Sequence, residues 1–298
     1  MSTTNKKHRT IILGLVLFLS SLTACSQIST PTAEGVVTPS ATATPSEPTP
    51  TPVPAVAIVN GERLPLAWYQ GELERYLIAQ ENLGAPVEDQ AAAGEIVLND
   101  LIDQMLLAQA AQQTGTVISD ADVQARLDAL AVEVDLGAWM AQWGYTDADL
   151  FEMLRFQLLA ADQRDRLAAT IPEVMEQAEI QQVFAYTAEG AQNAKVSLDS
   201  GTPFDEEAFL YDPVAGGYLG WVPRGYLLIP AVEEAAFSLP VGSTSDIIES
   251  DIGFHIVLVL DRGEHPLSSD ARLILQRQAV QSWLEGQRTN SAIEILDH

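Results

Sequence analysis

The chain has 298 residues, with 41 Asp and Glu against 15 Lys and Arg, which gives a formal charge of −26 at pH 7. Phosphate binding needs concentrated positive charge, so this composition excludes nucleic acid as a partner. The single cysteine cannot form an internal disulfide, and the four histidines are too scattered to form a metal site. No cofactor motif is present, because the Gly216-Gly217 pair lacks the Lys and the helix start of a phosphate loop.

The first 25 residues have the pattern of a bacterial export signal. Lys6, Lys7 and Arg9 provide the positive start, and residues 11–19 form an apolar run that is short for a membrane span. The sequence Leu-Thr-Ala-Cys that ends at Cys25 resembles a lipobox, in which cleavage precedes the cysteine and its sulfur is acylated. We therefore expect a lipid anchor on Cys25 at the outer face of the bacterial cell membrane. An ordinary secretory signal with a chance cysteine is the alternative.

Residues 26–54 are rich in Thr, Ser, Pro and Ala and contain hardly any aliphatic or aromatic clusters. Such a segment buries too little apolar surface to fold, and its prolines keep it extended. It predicts a tether between the membrane and the rest of the chain. The remaining residues exceed one average domain and fit two modest ones.

Helical signals dominate the first of these two parts, residues 55–178, after a short strand that ends in an Asn-Gly turn at Asn60. Residues 98–105 carry apolar side chains at helical spacing. Ser119 and Thr146 are each followed three residues later by an acid, which predicts the capped start of a further helix.

Residues 59–62 (VNGE), 98–111 (LNDLIDQMLLAQAA) and 119–123 (SDADV) resemble the N-terminal chaperone domain of the SurA and PrsA foldases. The resemblance implies a helical cradle whose exposed apolar patches bind unfolded polypeptide. The candidate side chains for this contact are Trp139, Met140 and Trp143. Packing in the helical core is the alternative for each of them, and a dimer through this half is an arrangement that the sequence leaves open.

The second part, residues 179–264, alternates strand and helix patterns and predicts a small antiparallel sheet with helices. An opening strand is expected at residues 181–186, and closing strands are expected at residues 245–249 and 254–260. A C-terminal helix follows within residues 265–298, and by analogy with the PrsA group it packs on the chaperone domain. The fold class is therefore α+β, with a helical SurA-like domain and a second domain of sheet and helices after a disordered tether.

Three runs in this part, 216–221 (GGYLGW), 237–242 (FSLPVG) and 253–256 (GFHI), resemble the second half of a parvulin-type peptidyl-prolyl isomerase. The resemblance implies that the substrate is another protein chain and that the reaction is the cis–trans isomerisation of Xaa-Pro bonds. No covalent intermediate and no cofactor are needed for this reaction.

The parvulin pattern also implies which residues carry the catalysis. His255 lies where the second of two core histidines belongs, Asp212 lies at the acidic or thiol position before the glycine pair, and Gln182 stands where the first histidine belongs. An amide offers both a donor and an acceptor, so Gln182 can still bond to His255. A core histidine with no site role and a solvated loop acid are the alternatives for His255 and Asp212.

The same pattern implies an apolar pocket for the proline ring. Its expected lining is Leu228, Val232, Phe237 and Phe254. Val232 replaces the usual Phe, which weakens the grip on proline.

These features together predict a membrane-anchored, extracytoplasmic foldase that binds newly exported, unfolded polypeptides and isomerises their Xaa-Pro bonds. A holdase chaperone that uses the parvulin fold only for binding is the alternative, favoured by the changes at Gln182 and Val232. A third reading, the solute-binding lipoprotein of a transporter, shares the lipobox and the tether but predicts alternating βα units. The long helical first part argues against it.

Overall fold

The computed structural model describes residues 53–297. The predicted signal, Cys25 and nearly all of the predicted tether lie outside the described residues. In the part that the structure describes, none of the helices combines the length and the apolar character needed to cross a membrane.

The first described strands form a hairpin at the predicted Asn-Gly turn. Strand β1 spans Ala55–Val59 and strand β2 spans Glu62–Pro65. Asn60 and Gly61 have φ angles of 53° and 85°. Both values lie in the left-handed region, which an Asn-Gly pair tolerates in a two-residue hairpin loop. The predicted turn is confirmed.

Five helices follow the hairpin: α1 (Leu66–Asn82), α2 (Gln90–Gln113), α3 (Asp120–Glu133), α4 (Leu136–Trp143) and α5 (Asp147–Ala168). The long helix α2 is the centre of this half, and Leu101, Ile102 and Met105 are buried on it. The Ser119 side chain accepts from the N–H of Asp122, and Asp122 accepts in return from the N–H of Ser119. This capping box confirms the predicted start of α3, and Thr146 caps α5 in a similar way.

The second half contains strand β3 (Val174–Ala185), helices α6 (Ala188–Asp199) and α7 (Phe204–Tyr211), strand β4 (Tyr218–Pro223), helix α8 (Pro230–Ser238) and strands β5 (Ile248–Ser250) and β6 (Gly253–Pro266). The strands form an antiparallel sheet in the order β4-β3-β6-β5. Residues of α8 pack on one face, together with Ile180 and Val257. Residues of α6 and α7 pack on the other face, together with Val183 and Ile256.

The central pair of strands is longer than the sequence predicted. Strand β3 begins at Val174, opposite Pro266, and the pairing continues to Ala185 opposite Phe254. The extra residues are largely polar on their exposed side, so the apolar pattern that marked residues 181–186 and 254–260 did not reach them. The strand expected at residues 245–249 was wrong in its bounds: β5 starts only at Ile248, and Thr244 contributes an isolated bridge to Leu258.

The C-terminal helix α9 (Ser269–Asn290) returns to the helical half. Arg288 near its end bonds to Asp103 of α2 at 2.6 Å and to the backbone carbonyl of Asn99 at 2.8 Å. The last strand, β7 (Ile293–Ile295), then pairs with β1, which gives the first sheet the order β2-β1-β7. The second sheet therefore lies, in chain order, between elements of the first half. Helices with two small antiparallel sheets confirm the α+β class.

Candidate functional site

The imidazole of His255 is buried in the second sheet. His255 lies on β6 opposite Phe184 of β3, and it is only 3% exposed. Its Nδ1 is 3.2 Å from the Oε1 atom of Gln182, and its Nε2 is 2.8 Å from the hydroxyl of Ser250. Both ring nitrogens therefore have a partner, and neither partner carries a charge.

This arrangement suits a neutral imidazole. A carbonyl oxygen can only accept, so the contact with Gln182 favours a proton on Nδ1, and the Ser250 hydroxyl lies within hydrogen-bond distance of both Nε2 and the carbonyl of Gly253, which is 3.0 Å away. Burial lowers the pKa of His255 below its ordinary value of 6.5. The site therefore presents an oriented dipole and no positive charge at neutral pH.

The network joins Gln182 to His255, a hydrogen bond that the sequence analysis had considered possible. It also includes Ser250, which the sequence analysis did not select. Ser250 lies at the end of β5 and is connected to β6 by the two-residue turn at Asp251 and Ile252. Its hydroxyl reaches His255 because Ser250 pairs with Gly253 at the start of β6. Selecting Ser250 from the sequence requires the pairing register of β5 with β6, and the strand predicted in this region had the wrong bounds.

Asp212 is engaged by its own loop and not by the histidine network. Its carboxylate accepts from the backbone N–H groups of Val214 and Ala215, each at 3.1 Å, and of Gly217 at 3.2 Å. These backbone bonds, that from Ala215 foremost, lower the pKa of Asp212. The structure thus supports a role for Asp212 in shaping the loop before β4, which differs from the direct catalytic role that the pattern implied.

That loop packs directly on the backbone of Gln182. The N–H of Gln182 donates to the carbonyl of Gly217 at 2.8 Å. A Cβ on Gly217, whose φ is +67°, would lie 1.8 Å from the carbonyl oxygen of Gln182. Only glycine fits here, so the glycine pair has a packing reason: it lets the Asp212 loop lie against the strand that carries Gln182.

The four expected pocket residues do not line one common pocket. Val232 and Phe237 are 3% and 6% exposed and belong to the core cluster under α8. Leu228 is 94% exposed, while its neighbours Leu227 and Ile229 pack against that cluster. Phe254 is next to His255 in β6, so strand alternation directs its side chain to the opposite face of the sheet. Of the four residues of the predicted lining, two therefore lie in the core, one is exposed and one faces away from His255.

Aromatic side chains that the sequence reading did not select lie beside the imidazole. The Phe184 ring is 5.0 Å from the His255 ring, and Tyr186 contacts Phe184 edge-on at 4.9 Å. Tyr186 is 84% exposed. Because Phe184 and His255 are paired across the sheet, this aromatic rim of Phe184 and Tyr186 lies beside the network and is partly accessible.

Two concave surfaces lie elsewhere in residues 53–297. One, of about 340 Å³, lies among α3, α4 and α5 and has Leu127, Met140 and Phe151 in its lining. The other, of about 670 Å³, lies beside α7. Neither is lined by His255. Within the same residues, no three metal-ligating side chains converge.

Helix α4, which carries the candidate chaperone side chains, is apolar but contains no fully buried residue. Trp139, Met140 and Trp143 are each half-buried. Trp139 stacks on Tyr145 at 5.3 Å, and Met140 borders the concave surface. Trp139 and Met140 pack against the core cluster of α3 and α5 and, like Trp143, remain partly accessible, so their contact with a client stays a prediction.

Comparison with known proteins finds similarity in both halves. A model described as a SurA-like N-terminal domain matches residues 48–153, and a model described as a PPIC-type PPIASE domain matches residues 211–261. The foldase protein PrsA of Geobacillus kaustophilus is 29% identical over 188 residues, which cover 59% of this chain and 65% of that protein. The chaperone SurA of Thiobacillus denitrificans is 30% identical over 114 residues, 34% of this chain and 26% of that protein.

Among solved structures, the peptidylprolyl isomerase PrsA of Bacillus anthracis aligns with a TM-score of 0.47 and 20% identity, over 65% of this chain and 96% of that one. The chain spans less than two thirds of the length of the first curated relatives it matches. The resemblance to the PrsA and SurA foldases is confirmed: the SurA-like N-terminal model and the PPIC-type PPIASE model each match part of the chain.

Proposed function

We propose that this chain is an extracytoplasmic foldase, which binds unfolded exported polypeptides and accelerates the isomerisation of their Xaa-Pro bonds. The observation that carries the proposal is the buried imidazole of His255, bonded at both nitrogens by Gln182 and Ser250. His255 lies inside the segment that the isomerase domain model matches.

The reaction needs a site of suitable shape and polarity, and it needs no side chain that forms a covalent bond with the substrate. Rotation about an Xaa-Pro bond must overcome a barrier of about 18–20 kcal/mol, because amide resonance is lost in the twisted state. A site that excludes water and favours the less polar, twisted amide lowers this barrier. The neutral dipole of His255, fixed by Gln182 and Ser250, is suited to tune the field at the amide without adding a charge.

The proline ring needs an apolar surface near this network. We assign this role to the aromatic rim of Phe184 and Tyr186 and retain Leu228 as a candidate contact, since it is 94% exposed. Covering a large aliphatic side chain is worth about 1.5–3 kcal/mol, so a bound proline segment would gain stability from each such contact. Val232 and Phe237 support the sheet from the core and do not touch the ring in this assignment.

The second candidate function is that of a holdase without useful catalysis. Two observations favour it: Gln182 occupies the place of a histidine, and Val232 and Phe237 are buried in the core. Client binding would then rest on the half-exposed apolar helix α4 and the concave surface beside it.

One pair of assays on the full-length protein separates the two functions. The first follows the slow refolding phase of a denatured client that is limited by a prolyl bond, and the second follows the aggregation of an unfolded client. We expect acceleration in the first and suppression in the second, and His255→Ala should lose only the acceleration. Suppression by the wild type without any acceleration would establish the holdase and overturn the isomerase.

The position of the chain relative to the membrane is part of the same proposal. Cys25 would carry the lipid, residues 26–54 would act as the tether, and residues 55–178, 179–264 and 265–298 would be the chaperone domain, the isomerase domain and the returning helix. Removing Lys6, Lys7 and Arg9 with the signal leaves 12 basic against 41 acidic residues. Anionic headgroups would repel such a body, so the lipid is needed to hold it at the surface.

A further inference from the structure

A large open concavity lies on the side of the second sheet that α7 covers. Its volume is about 670 Å³. Its walls are the first part of α7, with Asp205, Glu206 and Phe209, and the loop that follows α7, with Val214. Gln181 of β3 forms part of its floor.

The loop wall is exposed, and its backbone is tied by several hydrogen bonds. The carboxylate of Asp212 accepts from the N–H groups of Val214 and Ala215, and the carbonyl of Asp212 accepts from the N–H of Gly216 at 2.8 Å. The side chain of Gln181 then donates to the carbonyl of Gly216 at 2.7 Å. Binding at this wall therefore needs little ordering of the backbone, which keeps the entropic cost of association low.

Exposed apolar side chains lie on this loop and on the adjoining helix α7. Val214 is 97% exposed and Phe209 is 56% exposed, and Leu210 beside it is 71% exposed. Clusters of exposed apolar side chains are typical of surfaces that bind another molecule.

The rim of the same concavity is acidic. Asp205 and Glu206 are exposed, and neither carboxylate forms an ion pair within residues 53–297. The whole chain carries a charge of −26. A second copy of the chain and an anionic membrane would both be repelled from this rim, whereas a basic polypeptide would be attracted.

The concavity is separate from the histidine network. Gln181 and Gln182 are consecutive residues of β3, so their side chains lie on opposite faces of the sheet. Gln182 bonds to His255, and Gln181 bonds to the loop of the concavity. The two sites share a strand but not a surface.

We propose that this concavity is a second polypeptide-binding site, which takes an extended segment carrying Lys or Arg next to large apolar side chains. The apolar side chains would cover Val214 and Phe209, and the cations would face Asp205 and Glu206. The site needs neither proline in the ligand nor His255 in the protein. It would hold a client while the imidazole face acts on a different part of the same chain.

The test uses a fluorescent, proline-free peptide of alternating Lys and Leu, titrated with the full-length protein at low salt. The double variant Asp205→Asn/Glu206→Gln removes both charges, and Val214→Ser removes the most exposed apolar side chain without touching the core. Glu95→Gln/Glu133→Gln is the matched control, because it makes the same charge change on exposed positions of the helical half. We expect the dissociation constant to rise about three- to tenfold in each of the first two variants, and to change less than about twofold in the control.

Added salt should weaken binding to the wild type more than to the double variant. No binding of the peptide, or an equal loss in the control, would overturn the proposal, and so would binding of the wild type to anionic vesicles or to itself through the same residues. His255→Ala should leave peptide binding unchanged. A protein that fails to isomerise proline but binds this peptide as described would contradict the proposed isomerase and leave this site standing.

Discussion

At the scale of single residues, the candidate site is a neutral hydrogen-bond network and not a set of charged groups. His255 has a partner on each nitrogen and is shielded from water by Phe184 and the sheet. Protonation would place a charge in this poorly hydrated position. The network is therefore expected to weaken in acid.

A pH series tests this expectation. The folded-state pKa of His255 is lowered, so its stability contribution is complete above the unfolded value of 6.5 and is lost as the pH falls below that value towards the folded one. We expect the free energy of unfolding of the wild type to fall more steeply between about pH 7.5 and pH 5 than that of His255→Gln, which cannot titrate. Urea unfolding of the two proteins measures the difference, and parallel curves would contradict it.

Gly217 offers a second residue-scale test, because its Cβ position is occupied by the carbonyl of Gln182 at 1.8 Å. Gly217→Ala should lower the free energy of unfolding by at least about 3 kcal/mol, since backbone would have to move as well as adopt a strained φ. Gly242→Ala is the matched control: its φ is +82° with open space around it. The control should cost only the left-handed strain, about 1–2 kcal/mol. Urea unfolding measures both variants. An equal loss of unfolding free energy in the two would contradict the prediction, because it would show that the structure relieves the clash at Gly217.

At the scale of elements, the sequence predicted what local chemistry determines. Ser119 and Thr146 begin helices because their oxygens satisfy free N–H groups, and these interactions need no tertiary partner. Helices α1 and α4 were not predicted: α1 has no side-chain cap, whereas Asp135 caps α4 and Gly144 ends it, a local signal that was missed. The predicted strand bounds were wrong where backbone pairing extends a strand beyond its apolar side-chain pattern, as at the start of β3.

The contact between α9 and α2 is the element-scale feature that a substitution can test. Arg288 bonds to Asp103 and to the backbone of Asn99, and it is about one-third exposed. Arg288→Gln should lower the free energy of unfolding by about 1 kcal/mol, because charged hydrogen bonds in partly exposed places are modest. Arg277→Gln, on the exposed side of the same helix, should change it by less than about 0.5 kcal/mol. Thermal unfolding compares the two variants, and equal stabilities would contradict a clamping role.

At the scale of the whole molecule, the resemblance and the fold class could be predicted, but the pocket could not. Short motifs such as residues 253–256 pointed to the segment that the PPIC-type PPIASE model matches, because each has a local backbone or packing reason. The lining of a pocket depends on which face of a strand each side chain takes and how deeply it is covered. Neighbouring positions therefore had opposite outcomes, with His255 buried on one face and Phe254 directed to the other.

The proposed membrane anchor is also a property of the whole chain. Cys25→Ser should move the mature protein from the membrane to the soluble fraction, because its acidic body has no attraction of its own for anionic lipid. Fractionation with mass analysis of the N-terminal peptide measures both the location and the lipid. A variant that stays with the membrane would refute lipidation as the anchor.

The central claim, that the Gln182–His255–Ser250 network supports prolyl isomerisation, is tested most directly by exchange NMR on an Ala-Ala-Pro-Phe peptide. The account predicts that the full-length protein accelerates cis–trans exchange, that His255→Ala and Ser250→Ala each reduce the acceleration at least about tenfold, and that Glu95→Gln leaves it unchanged. An exchange rate that the wild type does not raise, or that His255→Ala raises equally well, would contradict the account.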